Sequence, residues 1–256
     1  MIIAVLNSKG GVGRTTIAVN LAGALASPQR RVLLVDLDSQ ASASVWFGVA
    51  SRDLRPSSAS CLIDKYPIGK AIRHTPTQHL DLLTGSIELA NVDIALCHQR
   101  GREAALKRML ERVAGDYDLI LLDCPPGTSL LGINALMAAD ALLVPVVPEP
   151  LAIEALSVQF ATIERVRARM GSRSRLLGIV VSLLEARRDH AREVLDRLRS
   201  EYRDNVLHTE IRWTTGLARA PAARKTIFAL APRSASADAF RRLAGEVLQR
   251  LPSIRH

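Results

Sequence analysis

Ser8-Lys9-Gly10-Gly11-Val12-Gly13-Arg14-Thr15-Thr16, preceded by the apolar run Ile2-Ile3-Ala4-Val5-Leu6 and followed by the helix-like stretch Ile17 to Leu25, decides the fold. A short strand, a glycine-rich bend and a helix in that order form a phosphate-binding loop. Gly10, Gly11 and Gly13 let the backbone approach an anion, and the helix that follows aims its unpaired N–H groups at the same place. Against the common pattern GxxxxGK(S/T), Ser8 replaces the first glycine and Arg14 replaces the lysine. The second replacement matters more, because a lysine is a compact point charge whereas arginine is a longer planar fork with different reach.

Two further strands end in acids. Val32-Leu33-Leu34-Val35-Asp36 is a continuous apolar run of the kind that parallel sheets bury on both faces. It leads into Asp36-Leu37-Asp38-Ser39-Gln40. Carboxylates at the C-terminal end of such a strand sit where open α/β sheets collect ligands, and strand alternation places Asp36 and Asp38 on one side. Tyr117-Asp118-Leu119-Ile120-Leu121-Leu122-Asp123-Cys124-Pro125-Pro126-Gly127 repeats the pattern. Asp123 has the chemistry to support a magnesium ion through its water shell, and the two prolines stiffen a loop suited to sensing a terminal phosphate. Cys124 reads as a small packed residue.

Working outward, the irregular stretch from Ala41 to about Thr77 predicts short helices and loops, one of them near Ile68 to His74. A short strand falls at Leu80-Asp81-Leu82-Leu83, and helical periodicity runs from Ile87 to Val113 with a break near Gly101. Strands at 141–146 and 176–182 alternate with helices over 153–170 and 189–202, and a last helix spans about Ser236 to Leu251. This alternation predicts a single-domain, mostly parallel twisted α/β sheet with helices on both faces. The expectation is one domain over residues 1–256.

The chain has 256 residues, 48% hydrophobic, and a net charge of +9. Residues 1 to 164 carry −2 and residues 165 to 256 carry +11. The basic last third is the electrostatic footprint of a surface that meets a polyanion. Arg187, Arg188, Arg192, Arg212, Arg219, Arg224 and Lys225 are the candidates for nucleic-acid phosphate contacts. Three cysteines without metal spacing and the lack of a signal peptide point to a reducing cytoplasm. His74, His79 and His98 are scattered singly and read as packed or surface residues.

Lys9-Gly10-Gly11-Val12-Gly13, Asp36-Leu37-Asp38-Ser39-Gln40, Tyr117 to Pro126 and Leu217-Ala218-Arg219-Ala220-Pro221 together resemble the ParA/MinD family of deviant Walker A ATPases, on the ParA/Soj side. The resemblance covers nearly the whole chain. It implies a P-loop ATPase that binds ATP and Mg2+ and closes into a homodimer on ATP. That dimer binds non-specific DNA and positions plasmid, chromosome or protein cargo in the cytoplasm on the nucleoid, with a partner protein stimulating hydrolysis. Residues 9–16, Lys9 through Thr16 including Val12, hold the nucleotide. Lys9 reaches the partner subunit's phosphates, Thr15 ligates magnesium with Asp36 and Asp123 as further metal residues, Asp38 orients the attacking water, and Arg14 stands in the catalytic lysine's place. Departures temper this picture. Arg14 makes turnover slow or impaired, and the alternative is a nucleotide-dependent DNA-binding switch that does not hydrolyse. Arg187 falls where relatives carry a DNA-contacting arginine, whereas Gly216 falls where they carry the second, leaving Arg212 or Arg219 to substitute. The start on the first strand predicts no N-terminal helix-turn-helix, and the few residues beyond the last helix predict no membrane anchor.

Overall fold

The computed structural model describes residues 1–127, 129–185 and 189–254, with only the backbone of Asp189 and His190. Eight strands form one sheet in the order β3-β4-β2-β5-β1-β6-β7-β8. They are β1 (Ile2–Val5), β2 (Val32–Asp36), β3 (Arg73–His74), β4 (Leu80–Leu83), β5 (Leu119–Asp123), β6 (Ala141–Val146), β7 (Arg175–Leu184) and β8 (Val206–Arg212). All neighbours pair in parallel except β3 with β4.

The apolar runs are continuous because both sheet faces are covered. Ile3 and Val5 of β1, with Val32 and Leu34 of β2, pack towards the helices Arg14–Leu25 and Ala235–Ile254. Ala4, Leu33 and Val35 face the opposite core, which includes Leu62, Leu106, Leu110 and Leu131. A third cluster fills the β6–β7 end, where Ile153 and Leu156 of the helix Ala152–Met170 meet Val144, Val146 and Val181. Phe240 is fully buried on the last helix, and sequestering a side chain of that size contributes about 1.5–3 kcal/mol.

Strand order positions the site. From β1 the chain crosses β5 to reach β2, and from β5 it crosses β1 to reach β6. The bend after β1 therefore lies at the point where the winding of the sheet reverses, at the carboxyl ends of the strands, where open α/β sheets leave a crevice for ligand.

Several boundaries differ from the sequence reading. The periodic stretch 87–113 is split into 3-10 turns at Ile87–Asn91 and Arg102–Ala104 and helices at Val92–Ala95 and Ala105–Glu111, with Gly101 left-handed at φ 68°. The helix near Ile68 stops at Ala71, and Arg73–His74 is a strand. The last helix runs through Pro252 to Ile254. β8 had no counterpart in the sequence reading: its run Val206-Leu207-His208-Thr209-Glu210-Ile211-Arg212 is half polar because the strand is an edge, buried on alternate residues over much of its length. No helix among the described residues is long and apolar enough to cross a membrane.

Candidate nucleotide-binding site

The bend between β1 and the first helix is held open from three sides. Asn7 donates its side-chain amide to Pro145 O at 2.7 Å and accepts the Lys9 N–H at 2.9 Å. Gln159, 5% exposed, accepts the Ser8 N–H at 3.1 Å. Ser182 of β7 donates its hydroxyl to Val12 O at 2.7 Å. Gly11 and Gly13 take φ of 76° and 78°, the left-handed region that a side chain resists. At Gly13 a Cβ would also stand 3.3 Å from Leu183. A Cβ at Gly10 or Gly11 would meet nothing within 4 Å, so the loop's open side has room for a ligand.

Arg14, the first residue of the helix, folds back over this loop. Its guanidinium Nη1 donates to Asn7 O at 2.8 Å and Lys9 O at 2.5 Å, while Nε donates to Cys124 O at 3.0 Å. Three carbonyls are satisfied by one planar fork, a geometry that a lysine ammonium on its flexible stem would not reproduce. Lys9 points away from its own loop and pairs with Glu149 Oε2 at 2.7 Å.

The three aspartates have different surroundings. Asp36 is fully buried, and its Oδ2 accepts both the N–H and the hydroxyl of Ser44 at 2.9 and 2.7 Å. Its Oδ1 accepts the Asp38 N–H at 3.1 Å. The same Ser44 hydroxyl accepts the Gly85 N–H, and a Cβ at Gly85 would come within 2.8 Å of the Asp36 carboxyl. Burial pushes the Asp36 carboxyl up to about 6, against the Ser44 bonds that favour its charge. Three accepted hydrogen bonds engage the Asp36 carboxylate, so Asp36 ties the following loop down, with one bond on Oδ1 and two on Oδ2.

β2 ends at Asp36, so alternation no longer governs Asp38, which lies in the loop and accepts the Gln40 N–H on its Oδ1 at 2.9 Å. Asp38 is half-buried, unlike its neighbour.

Asp123 pairs in register with Val5 on one side and Asp36 on the other. It is 1% exposed, and neither carboxylate oxygen meets a partner at hydrogen-bond geometry among the described residues, with the Thr15 hydroxyl the side chain that comes near it. Burial raises its pKa well above the ordinary carboxylate range, and the charge of Asp36 adds to this, while the Thr15 hydroxyl and the Arg14 charge oppose it. A buried carboxylate without a partner is costly. Its surroundings suit a hydrated divalent cation between it and Thr15. Next in the chain, Cys124 is buried and its thiol is raised, as a packed residue requires.

The structure therefore brings Lys9, residues 10–16, Asp36, Asp38 and Asp123 to one crevice. Arg192, Arg212, Arg219, Arg224 and Lys225 are exposed, and Arg212 lies 3.9 Å from Glu210. Arg187 and Arg188 lie outside the described residues. Asn7, Ser44, Gln159 and Ser182 were not anticipated, because each acts through a contact distant in sequence or an ordinary hydroxyl or amide.

A parallel sheet with a glycine-rich anion loop at its winding reversal, flanked by strand-terminal aspartates, defines a P-loop nucleotide-binding protein. A family model described as an AAA domain matches residues 1–176. The Bacillus subtilis sporulation initiation inhibitor protein Soj is 38% identical over 246 residues, 96% of this chain and 97% of that protein. The Thermus thermophilus chromosome-partitioning ATPase Soj is 41% identical over 249 residues, 97% and 96% of the two chains. A crystal structure described as cobyrinic acid a,c-diamide synthase from Mycobacterium smegmatis, with bound ADP and magnesium, superposes with a TM-score of 0.85 at 32% identity, covering 98% of this chain and 95% of that one. The chain belongs to the ParA/MinD family of P-loop ATPases.

Proposed function

We propose that this chain is an ATP-dependent switch that dimerises on Mg2+·ATP, binds non-specific DNA in that state and positions a DNA or protein cargo until hydrolysis opens the dimer. The observation that carries the reading is Asp123: a buried carboxylate with no partner at hydrogen-bond geometry among the described residues, beside Thr15, at the mouth of a loop built for polyphosphate. The residues present fit the expected ligands. Gly10, Gly11, Val12 and Gly13 offer backbone N–H groups to phosphate, Thr15 and Thr16 follow at the helix N-terminus, and Thr15 with Asp123 would hold the magnesium. Mg2+ would supply charge neutralisation between the phosphates.

Asp38 reaches from its loop to orient the attacking water. Asp36 fixes that loop through Ser44 and Asp38 N–H, and so positions Asp38 beside the metal site. Lys9 is not needed by its own loop, and its service is to a second copy's phosphates once it leaves Glu149. The exposed cations of the last third supply the DNA surface. The Soj name recurs among relatives of higher identity than the amide-forming name of the Mycobacterium structure, and we follow it. As in the family, an adaptor that stimulates hydrolysis completes the cycle on the nucleoid.

A second reading rests on Arg14. Its three carbonyl bonds hold the guanidinium on the loop backbone, which favours a protein that binds ATP and releases it with little hydrolysis. Calorimetry of Mg2+·ATP binding, followed by steady-state phosphate release with and without duplex DNA, tests both. DNA-stimulated release supports the switch ATPase, binding without release supports the second reading, and no nucleotide uptake overturns both.

A further inference from the structure

The basic segment from Arg219 to Lys225 is fastened at its C-terminal end to both of the elements that handle nucleotide. Trp46, 3% exposed, donates its indole N–H to Lys225 O at 2.7 Å. It is the last residue of the helix Ser42–Trp46, whose Ser44 holds the Asp36 carboxylate and whose entry is set by the Ala41 N–H bond to Asp38 O at 2.9 Å. The second fastening comes from the first helix. Asn20, fully buried one turn beyond Thr16, donates to Thr16 O and accepts the Ile227 N–H at 2.8 Å. Arg224, beside Lys225, holds a left-handed φ of 53° and packs its side chain against Gly48, two residues past Trp46.

Resting on the reading above, we infer that Trp46 is a positioning residue that couples the nucleotide-sensing loop around Asp38 to the DNA-facing cations Arg219, Arg224 and Lys225. A buried indole N–H has one good partner here, and it is a backbone carbonyl of the basic segment. When a terminal phosphate draws in the Asp38 loop, the helix 42–46 moves with it and carries Lys225 and its neighbours. Loss of that phosphate releases them. Asn20 anchors the same segment to the phosphate loop's own helix, so the basic residues pivot between one fixed point and one movable point. Differential affinity for DNA in the two nucleotide states follows from that geometry.

The test is Trp46→Phe, which keeps an aromatic ring in the core and removes only the N–H donor. Duplex-DNA dissociation constants at one fixed salt concentration are compared with a non-hydrolysable ATP analogue and with ADP. The wild type is expected to prefer the ATP-analogue state by roughly tenfold or more, and Trp46→Phe to bring the two constants within about threefold, with analogue binding unchanged. Lys225→Ala, which keeps the carbonyl, weakens DNA binding by a similar factor in both states. A Trp46→Phe protein with the wild-type ratio overturns the coupling. A wild type without nucleotide preference overturns both the coupling and the function proposed above. Should Trp46→Phe fail to fold, Trp213→Phe leaves Trp46 as the lone tryptophan. Its emission is expected to differ between the ATP-analogue and ADP states, and an identical spectrum in both overturns the inference.

Discussion

Lys9 Nζ stands 2.7 Å from Glu149 Oε2, joining the phosphate loop to the chain just beyond β6. Both side chains are 42% exposed, so the pair contributes little to stability in water. Lys9→Ala should therefore shift the melting temperature by no more than about 2 °C. The same variant should lose the doubling of mass that ATP induces, measured by light scattering. An undiminished ATP-dependent dimer would show that residue 9 does not serve a second copy.

Arg14 satisfies Asn7 O, Lys9 O and Cys124 O at once. Lysine at this position would release two of those carbonyls and place a mobile ammonium over the loop. Arg14→Lys is expected to raise the ATP turnover number by about tenfold, equivalent to ~1.4 kcal/mol of barrier. Equal or lower turnover, measured by phosphate release at saturating Mg2+·ATP, would mean that the fork is not a brake.

Asp123→Asn removes a buried charge that has no partner at hydrogen-bond geometry among the described residues, while keeping the shape. In the wild type the carboxyl's folded pKa is raised, so from about pH 4 upward the folded state binds protons more tightly than the unfolded one, and this group's contribution to stability falls as pH rises. The nucleotide-free variant should accordingly melt above the wild type at pH 8 and close to it at pH 4. Calorimetric scans across that range check the sign. The variant should also lose the further stabilisation that Mg2+ adds to ATP.

Asp38→Ala should leave ATP binding and dimerisation in place and slow hydrolysis by about 100-fold or more, within the range of a lost general base. The expected consequence is a DNA-bound dimer that persists with ATP. Fluorescence anisotropy of labelled duplex follows it, and release at the wild-type rate would remove Asp38 from the water-orienting role.

Ser44→Ala strips Asp36 of its hydroxyl donor and Gly85 N–H of its acceptor at a fully buried position. Leaving such groups unsatisfied costs about 1–3 kcal/mol. A fall of several degrees in melting temperature is expected, together with weaker hydrolysis because the Asp38 loop loses its tether. Full stability in the variant would show that the clamp is dispensable.

What the sequence by itself determined is local and chemical. The β1–loop–helix unit, the apolar strands closing on Asp36 and Asp123, and the alternation that makes the sheet parallel are short-range patterns, each within about 25 residues. What only the tertiary structure decided is which of the strand-end acids is spoken for. Asp36 and Asp123 look alike in sequence, yet Ser44 hydrogen-bonds one, and among the described residues no side chain meets the other at hydrogen-bond geometry. Trp46 and Lys225, 179 positions apart, show the same limit. Their hydrogen bond joins a backbone carbonyl to a ring N–H, and neither residue carries a sign of its partner until packing has brought them together. β8 stayed hidden for a related reason: an edge strand covered on one side needs apolar residues at only alternate positions, and its polar ones break the run that betrays a central strand.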